Sequence, residues 1–146
     1  MKIIKMTEET VSAVAALEQQ CFSSPWSEES LRKVLTEPEF CYLLACEEDK
    51  VLGYGGVYFA ADEANITNIA VAPEVRNRGI AKQLVRAIVS EAERRESSTV
   101  FLEVRAGNAV ARHVYEQCGF VPLGVRKHFY TKPTEDGFIY AYRIER

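Results

Sequence analysis

At 146 residues, 47% apolar and 27% charged, the chain is long enough for one globular domain with its own buried core, and its composition excludes a disordered segment. A net charge of −3 and a pI near 5.5 offer no basic face for general nucleic-acid binding. The four cysteines, Cys21, Cys41, Cys46 and Cys118, form no C-x-x-C pair and meet only two histidines, so free thiols in a reducing cytosol are expected and no metal site.

Lys2 to Met6 reads as a first strand. Thr7 is placed to cap the next helix, with Glu8 and Glu9 in its first turn and Val11, Val14, Ala15 and Leu17 on its apolar face. Ser24-Pro25-Trp26-Ser27 ends that segment. Ser27 then caps a second helix, with Ser30 at its third position and Leu31, Val34 and Leu35 inward. Cys41 to Cys46 and Val51 to Phe59 are β-rich runs joined by Glu47-Glu48-Asp49-Lys50, a hairpin signature. Glycines 53, 55 and 56 predict a close approach of another backbone.

Asn65 to Val71 is the next strand, and Pro73 stops its ladder. After Gly79 a strongly periodic helix sets Ala81, Leu84, Val85, Ile88 and Ala92 on one face, and Gln83, Arg86, Ser90 and Glu93 on the other. Thr99 to Val104 is a further strand. Asn108 caps a helix that closes at Gly119, a left-handed C′ residue with Phe120 behind it. Two β-rich segments follow, Val121 to Phe129 and Phe138 to Ile144. Strand, helix and strand over 65–104 predict a parallel pair with a crossover, flanked by hairpins. The fold class is α/β: a single domain over residues 1–146 around a mixed, mostly antiparallel sheet.

Two stretches carry chemistry. In Asn68-Ile69-Ala70-Val71-Ala72-Pro73-Glu74-Val75-Arg76-Asn77-Arg78-Gly79-Ile80-Ala81 an apolar strand runs into a turn that opens a helix. A helix N-terminus offers unpaired N–H groups and the positive end of a dipole, which suits a pyrophosphate. Gly79 lets that anion come close, and Arg76 and Arg78 can add charge-assisted bonds. In the second stretch, Leu102-Glu103-Val104-Arg105-Ala106-Gly107-Asn108, Glu103 sits within an apolar strand. It is read either as half of an ion pair, with Arg105 or Arg126, or as a general base, because partial burial makes a carboxylate a better proton acceptor. Asn108 and Tyr115 lie seven residues apart, so two turns bring them to one helix face. Tyr115 is read either as a core residue or as an acid. His113 points to another face, and His128 has no partner in view. Cys118, at a helix C-terminus, is poorly placed as an acyl carrier, since the dipole there raises a thiol pKa.

The spacing Arg76-x-x-Gly79-x-Ala81 resembles the R/Q-x-x-G-x-G/A signature of the GNAT acetyltransferases, and Asn108, Tyr115 and Gly119-Phe120 resemble that family's second signature. Within the family the chain is similar to the ribosomal-protein-alanine N-acetyltransferases, through Ser24-Pro25-Trp26-Ser27, Asn68 to Val71, Leu102 to Arg105 with Asn108, and Arg126-Lys127-His128-Phe129-Tyr130. The late segment departs by having Phe129 where two adjacent tyrosines are common. The resemblance implies a GNAT-like domain with about seven strands, a splayed parallel central pair and about four helices on both faces.

It also implies acetyl-CoA as co-substrate, with no metal. Ile69, Ala70, Val71, Arg76, Asn77, Arg78, Gly79, Ile80, Ala81, Asn108 and Tyr115 would bind it. The N–H of Val71 or a neighbour would polarise the thioester carbonyl, Glu103 would be the base and Tyr115 the acid. Trp26 and Tyr130 would meet the acceptor. The implied activity is an N-acetyltransferase moving acetyl to the N-terminal α-amino group of a protein, the N-terminal alanine of small-subunit ribosomal protein 18, in a ternary complex. The alternatives are a small-molecule amine acetyltransferase and a non-catalytic acyl-CoA-binding module. With no visible signal peptide and no apolar run of roughly 18 residues, a cytoplasmic monomer or weak dimer is expected, without membrane or direct nucleic-acid contact.

Overall fold

The computed structural model describes residues 1–131 and 133–145. Seven strands form one sheet: β1 (Lys2–Lys5), β2 (Phe40–Glu47), β3 (Lys50–Ala60), β4 (Glu63–Val71), β5 (Thr99–Arg105), β6 (Val121–Tyr130) and β7 (Glu135–Arg143). Their order is β1-β2-β3-β4-β5-β7-β6. Four helices join them: α1 (Val11–Cys21), α2 (Glu28–Val34), α3 (Ile80–Arg94) and α4 (Ala109–Gln117). Every neighbouring pair of strands is antiparallel except β4 and β5, so the sheet is mixed and mostly antiparallel, as the residue pattern and the family resemblance predict.

The parallel pair is short. Glu63, Ala64 and Asn65 face Thr99, Val100 and Phe101, and the two strands pair no further. A bulge explains the parting. On β3, Gly56 pairs with Asn68 but Val57 pairs with Ile66, so Thr67 is an extra residue in β4. A bulge bends its strand and adds local twist, and this one falls just past the last β4–β5 pair. Gly56 is required opposite it, because a Cβ there would lie 2.7 Å from Thr67 Oγ1 and 2.8 Å from Asn68 Oδ1. The expected backbone approach occurs at Gly53, against the Ala70 carbonyl, whereas Gly55 and Gly56 make room for side chains.

Helix α3 buries Ile80, Leu84, Val85, Ile88 and Ala92 against β2, β3 and β4. The stripe starts at Ile80 rather than the expected Ala81, since Ile80 stands one turn before Leu84 and carries the larger apolar side chain. Ile88 abuts Gly55, so by strand alternation Tyr54 faces the opposite side, where α1 packs on β3 and β4. Helix α1 begins at Val11, later than the Thr7 cap predicts. The Thr7 N–H donates to Thr10 Oγ1 at 2.8 Å and Thr10 Oγ1 donates back to the Thr7 carbonyl at 3.0 Å, while the Thr7 hydroxyl donates to Glu9 at 3.0 Å, so the two side chains serve a turn instead of a cap. Ser27 caps α2 as expected, accepting from the Ser30 N–H at 3.1 Å.

Helix α4 is fixed at both ends by local chemistry. Asn108 Oδ1 accepts from the Ala111 N–H at 3.1 Å. At the far end Gly119 is left-handed (φ 93°), the Phe120 N–H reaches the Tyr115 carbonyl and the Gly119 N–H reaches Glu116. This is the paired closure of a Schellman end, with Phe120 buried behind it.

Candidate active site

Where β4 and β5 part, a cleft of about 610 Å³ opens. Its walls come from the α1–α2 loop (Phe22, Ser23, Ser24, Trp26), the end of β4 (Thr67, Asn68, Ile69), β5 (Leu102 to Arg105), helix α4 (Asn108, Ala111, Tyr115) and the β6–β7 turn (Phe129, Tyr130, Thr131). The fold thus brings Trp26, Ile69, Glu103, Asn108, Tyr115 and Tyr130 to one place, across more than a hundred residues of sequence. A second hollow of about 500 Å³ shares Ile66, Thr67, Leu102, Glu103, Phe129 and Tyr130 with it. Glu103 therefore reaches both, whereas Tyr115 lines only the first.

Of the two partners open to Glu103, the structure selects Arg126, whose Nε lies 3.4 Å from Oε1. The second oxygen, Oε2, is buried, and among the described residues nothing bonds to it. Arg105 turns away to the β6–β7 turn. It donates to the Thr131 carbonyl at 2.8 Å and the Pro133 carbonyl at 3.0 Å, pairs with Glu135 at 3.3 Å, and covers the Tyr130 ring at 4.6 Å. Burial, reinforced by the nearby Glu103 charge, pushes the Tyr130 phenol up. Tyr115 is packed by Phe120 and Tyr140 and is only 8% exposed; burial lifts its phenol to about 12. Tyr115 is therefore a core residue that also lines the cleft.

The edge of β4 facing the gap carries its own donors. The Ala72 N–H bonds back to Leu52 on β3 at 2.8 Å. Backbone groups alternate along a strand, so the Val71 N–H points away from β3 and into the gap. The Val71 carbonyl, on that same edge, accepts from Arg76 Nε at 3.1 Å. Arg76 is folded back over the strand end, its other nitrogen 3.7 Å from Cys21 Sγ. Arg78 pairs with Glu47 on the surface at 3.3 Å.

Residues 76–81 lie outside the cleft lining, past the end of β4. Their anion-binding potential rests on backbone: Asn77 (φ 68°) and Gly79 (φ 79°) are both left-handed, and no side chain caps the α3 N-terminus. A Cβ on Gly79 would meet nothing within 4 Å, so the glycine answers to conformation and to whatever approaches the turn. The side chains of Ile80 and Ala70 point into the core, which leaves only their backbone for a ligand. His113 and His128 are exposed and line neither cavity. Burial pushes the Cys118 thiol up, and it too lies outside the cleft lining. Among the described residues no cluster of His, Cys, Asp and Glu could hold a metal ion, and no helix is long and apolar enough to cross a membrane.

One set of residues escaped the sequence reading. Glu18 is 1% exposed and accepts from the Trp26 N–H at 2.7 Å and from Asn68 Nδ2 at 3.0 Å. The same Asn68 amide also donates to Tyr54 at 3.2 Å, and its oxygen accepts from Thr67 at 2.9 Å. The signal was present in the sequence: Glu18 follows Val11, Val14 and Ala15 on the buried stripe of α1, where a carboxylate needs partners.

Comparison with known proteins accords with this geometry. Two relatives are each named [ribosomal protein bS18]-alanine N-acetyltransferase. The protein of Escherichia coli (strain K12) is 33% identical over 138 residues, covering 94% of this chain and 91% of its own. That of Salmonella typhimurium is 34% identical over 121 residues, covering 83% and 80%. The crystal structure of the ribosomal-protein-S18-alanine N-acetyltransferase from Escherichia coli superposes with a TM-score of 0.89 at 29% identity, over 99% of this chain and 94% of that one. The family model described as Acetyltransferase (GNAT) family matches residues 11–120, and the chain belongs to that family as an acetyl-CoA-dependent N-acetyltransferase.

Proposed function

We propose that this enzyme acetylates the N-terminal α-amino group of a protein, with the N-terminal alanine of ribosomal protein bS18 as acceptor. The observation that carries the reading is Glu103 Oε2, a buried carboxylate oxygen left without a partner inside a cleft that Tyr115 also lines. A buried acceptor atom is costly to leave unpaired, and an incoming ammonium group would satisfy it. The relatives' activity and the aromatic and loop walls around Trp26 and Tyr130 support a peptide terminus as the source of that ammonium.

The proposed mechanism is direct transfer. The α-amino group has a reference pKa of about 8, so it arrives largely protonated at neutral pH. Glu103 takes a proton from it, directly or through water, and Arg126 holds the other carboxylate oxygen in place. The freed nitrogen attacks the thioester carbon. Negative charge on the carbonyl oxygen is met by N–H groups on the gap edge of β4, Val71 foremost. As the C–S bond breaks, Tyr115 donates its phenolic proton to the departing thiolate. The products are the amide and CoA, and the amine's protons pass through Glu103 to solvent and restore Tyr115. The pyrophosphate is assigned to the N–H groups at Gly79 to Ala81 with Arg76 and Arg78, and the CoA arm to Asn108.

The test is incubation with acetyl-CoA and an alanine-initiated peptide from bS18. A gain of about 42 daltons on the terminal amine is expected, one acetyl replacing one hydrogen. Modification of spermidine but not of the peptide would replace this acceptor with a small amine. Binding of acetyl-CoA without any acceptor modified would leave a binding module.

A further inference from the structure

Glu18 is a carboxyl buried without a cationic partner among the described residues. Among the described residues no arginine, lysine or histidine pairs with it, and both its oxygens are used by neutral donors. These donors belong to two parts of the cleft wall, which Tyr42 also links, its ring beside Trp26 and its hydroxyl donating to Asn68 Oδ1 at 3.4 Å. Trp26 lies in the α1–α2 loop, and its N–H bond to Glu18 is the one hydrogen bond that residues 23–26 make among the described residues. Asn68 lies next to the bulge where β4 leaves β5. Its amide is spent on Glu18 and Tyr54 and its oxygen accepts from Thr67, so its orientation is fixed. The Trp26 ring leans on Tyr42 at 6.3 Å, and Tyr42 stacks on Tyr54 at 5.7 Å.

We infer that Glu18 is a positioning residue for the acceptor: its carboxylate ties the Trp26 loop to the Asn68 bulge and so sets the width of the acceptor end of the cleft. This rests on the reading that the cleft receives a protein N-terminus. The Glu18 bond is the loop's one hydrogen-bonded anchor at residues 23–26 among the described residues, and Phe22, Ser23, Ser24 and Trp26 line the same cleft as Tyr130. A neutral glutamine could accept at one oxygen but would present an N–H₂ to a donor at the other, so it cannot keep both bonds as the network stands.

Burial raises the Glu18 carboxyl above its ordinary range, against the two hydrogen bonds that lower it. A carboxyl whose folded pKa is raised adds stability only at low pH, and that contribution is lost as pH rises through the folded value. Only above that folded value does the buried anion work against the fold.

The chain holds a single tryptophan, Trp26, so the loop reports on itself. The experiment compares wild type with Glu18→Gln and, from the other end of the tie, Asn68→Ala. Acrylamide quenching of tryptophan fluorescence is read without substrates, then Tm, then KM for the bS18 peptide and for acetyl-CoA. Loss of one partner of a buried charged hydrogen bond corresponds to roughly a tenfold change or more. Both variants are expected to show stronger quenching and an acceptor KM about tenfold higher, with acetyl-CoA KM within about twofold. Unchanged quenching in both variants overturns the inference, and so does an equal rise of the two KM values. If wild type leaves the bS18 peptide unmodified, the acceptor reading fails by itself, and the quenching still decides whether Glu18 holds the loop.

Discussion

Glu103 and Tyr115 stand in different surroundings, and the difference fits different duties. Glu103 sits between two hollows with one oxygen on Arg126 and one unpartnered. Glu103→Gln keeps the shape and removes the proposed proton acceptor. It is expected to lower kcat by about 10²–10⁴, the usual worth of a general base, while calorimetry finds acetyl-CoA affinity unchanged. A wild-type rate would remove Glu103 from the mechanism. Tyr115 is enclosed, and burial holds its phenol at about 12. The acid proposed here must carry its proton at the working pH, and a phenol raised to about 12 does so throughout the neutral and mildly alkaline range. The pH profile of kcat is therefore expected to show no falling limb from Tyr115 up to about pH 10. Tyr115→Phe should lower the plateau without moving its acid side. A limb in wild type near pH 9 that vanishes in the phenylalanine variant would show instead a phenol titrating far below this value.

Helix α4 places Asn108 and Tyr115, and its ends decide how firmly. Tyr115 is the residue whose carbonyl accepts the Phe120 N–H in the closing turn. Gly119→Ala puts a Cβ on a left-handed residue (φ 93°) and within 3.0 Å of the Tyr142 ring. The conformation alone costs roughly 1–2 kcal/mol, so Tm is expected to fall by several degrees, at about 2–4 °C per kcal/mol for a chain of this size. Thermal unfolding followed by circular dichroism checks it, and an unchanged Tm would show that α4 does not depend on this closure.

These ends were legible in the sequence because caps are local: Asn108, Gly119 and Ser27 each act on residues within five of themselves. The start of α1 was not, because Thr7 and Thr10 bond each other and take the cap away. The sequence offered Arg105 and Arg126 as partners of Glu103, but not the choice between them. Arg105 shares the Glu103 strand and the same alternation, but Arg126 reaches Glu103 through the β7–β6 register, where Ile139 faces Glu103 and Gly137 faces Arg126. The Glu18 network joins α1, a loop and a bulge separated by up to 50 residues, and no local pattern encodes such a meeting. What the sequence did show of it was one charged residue on an apolar stripe.

The sheet as a whole is two blocks joined at a short seam. Strands β1 to β4 form one and β5 to β7 the other, with three parallel pairs between them before the gap opens. Helix α3 reaches from the turn at Gly79 across the first block, and α4 packs beside it from the second. A ligand lying in the gap, with its phosphates on the α3 N-terminus and its arm along Asn108 and Tyr115, would bridge both blocks and bind only the folded chain. Such a ligand stabilises by mass action, by about 2.7 kcal/mol at a hundredfold excess over Kd. With about 2–4 °C per kcal/mol, acetyl-CoA at that excess is expected to raise Tm by roughly 5–10 °C. Glu103→Gln leaves the phosphate turn and the gap edge intact and should keep the whole shift. Gly79→Trp fills the turn and strains a left-handed residue, and should abolish it. A full shift in the Gly79 variant would take the pyrophosphate away from this turn. Loss of the shift in Glu103→Gln would mean that the acetyl end, not the phosphate end, holds the two blocks together.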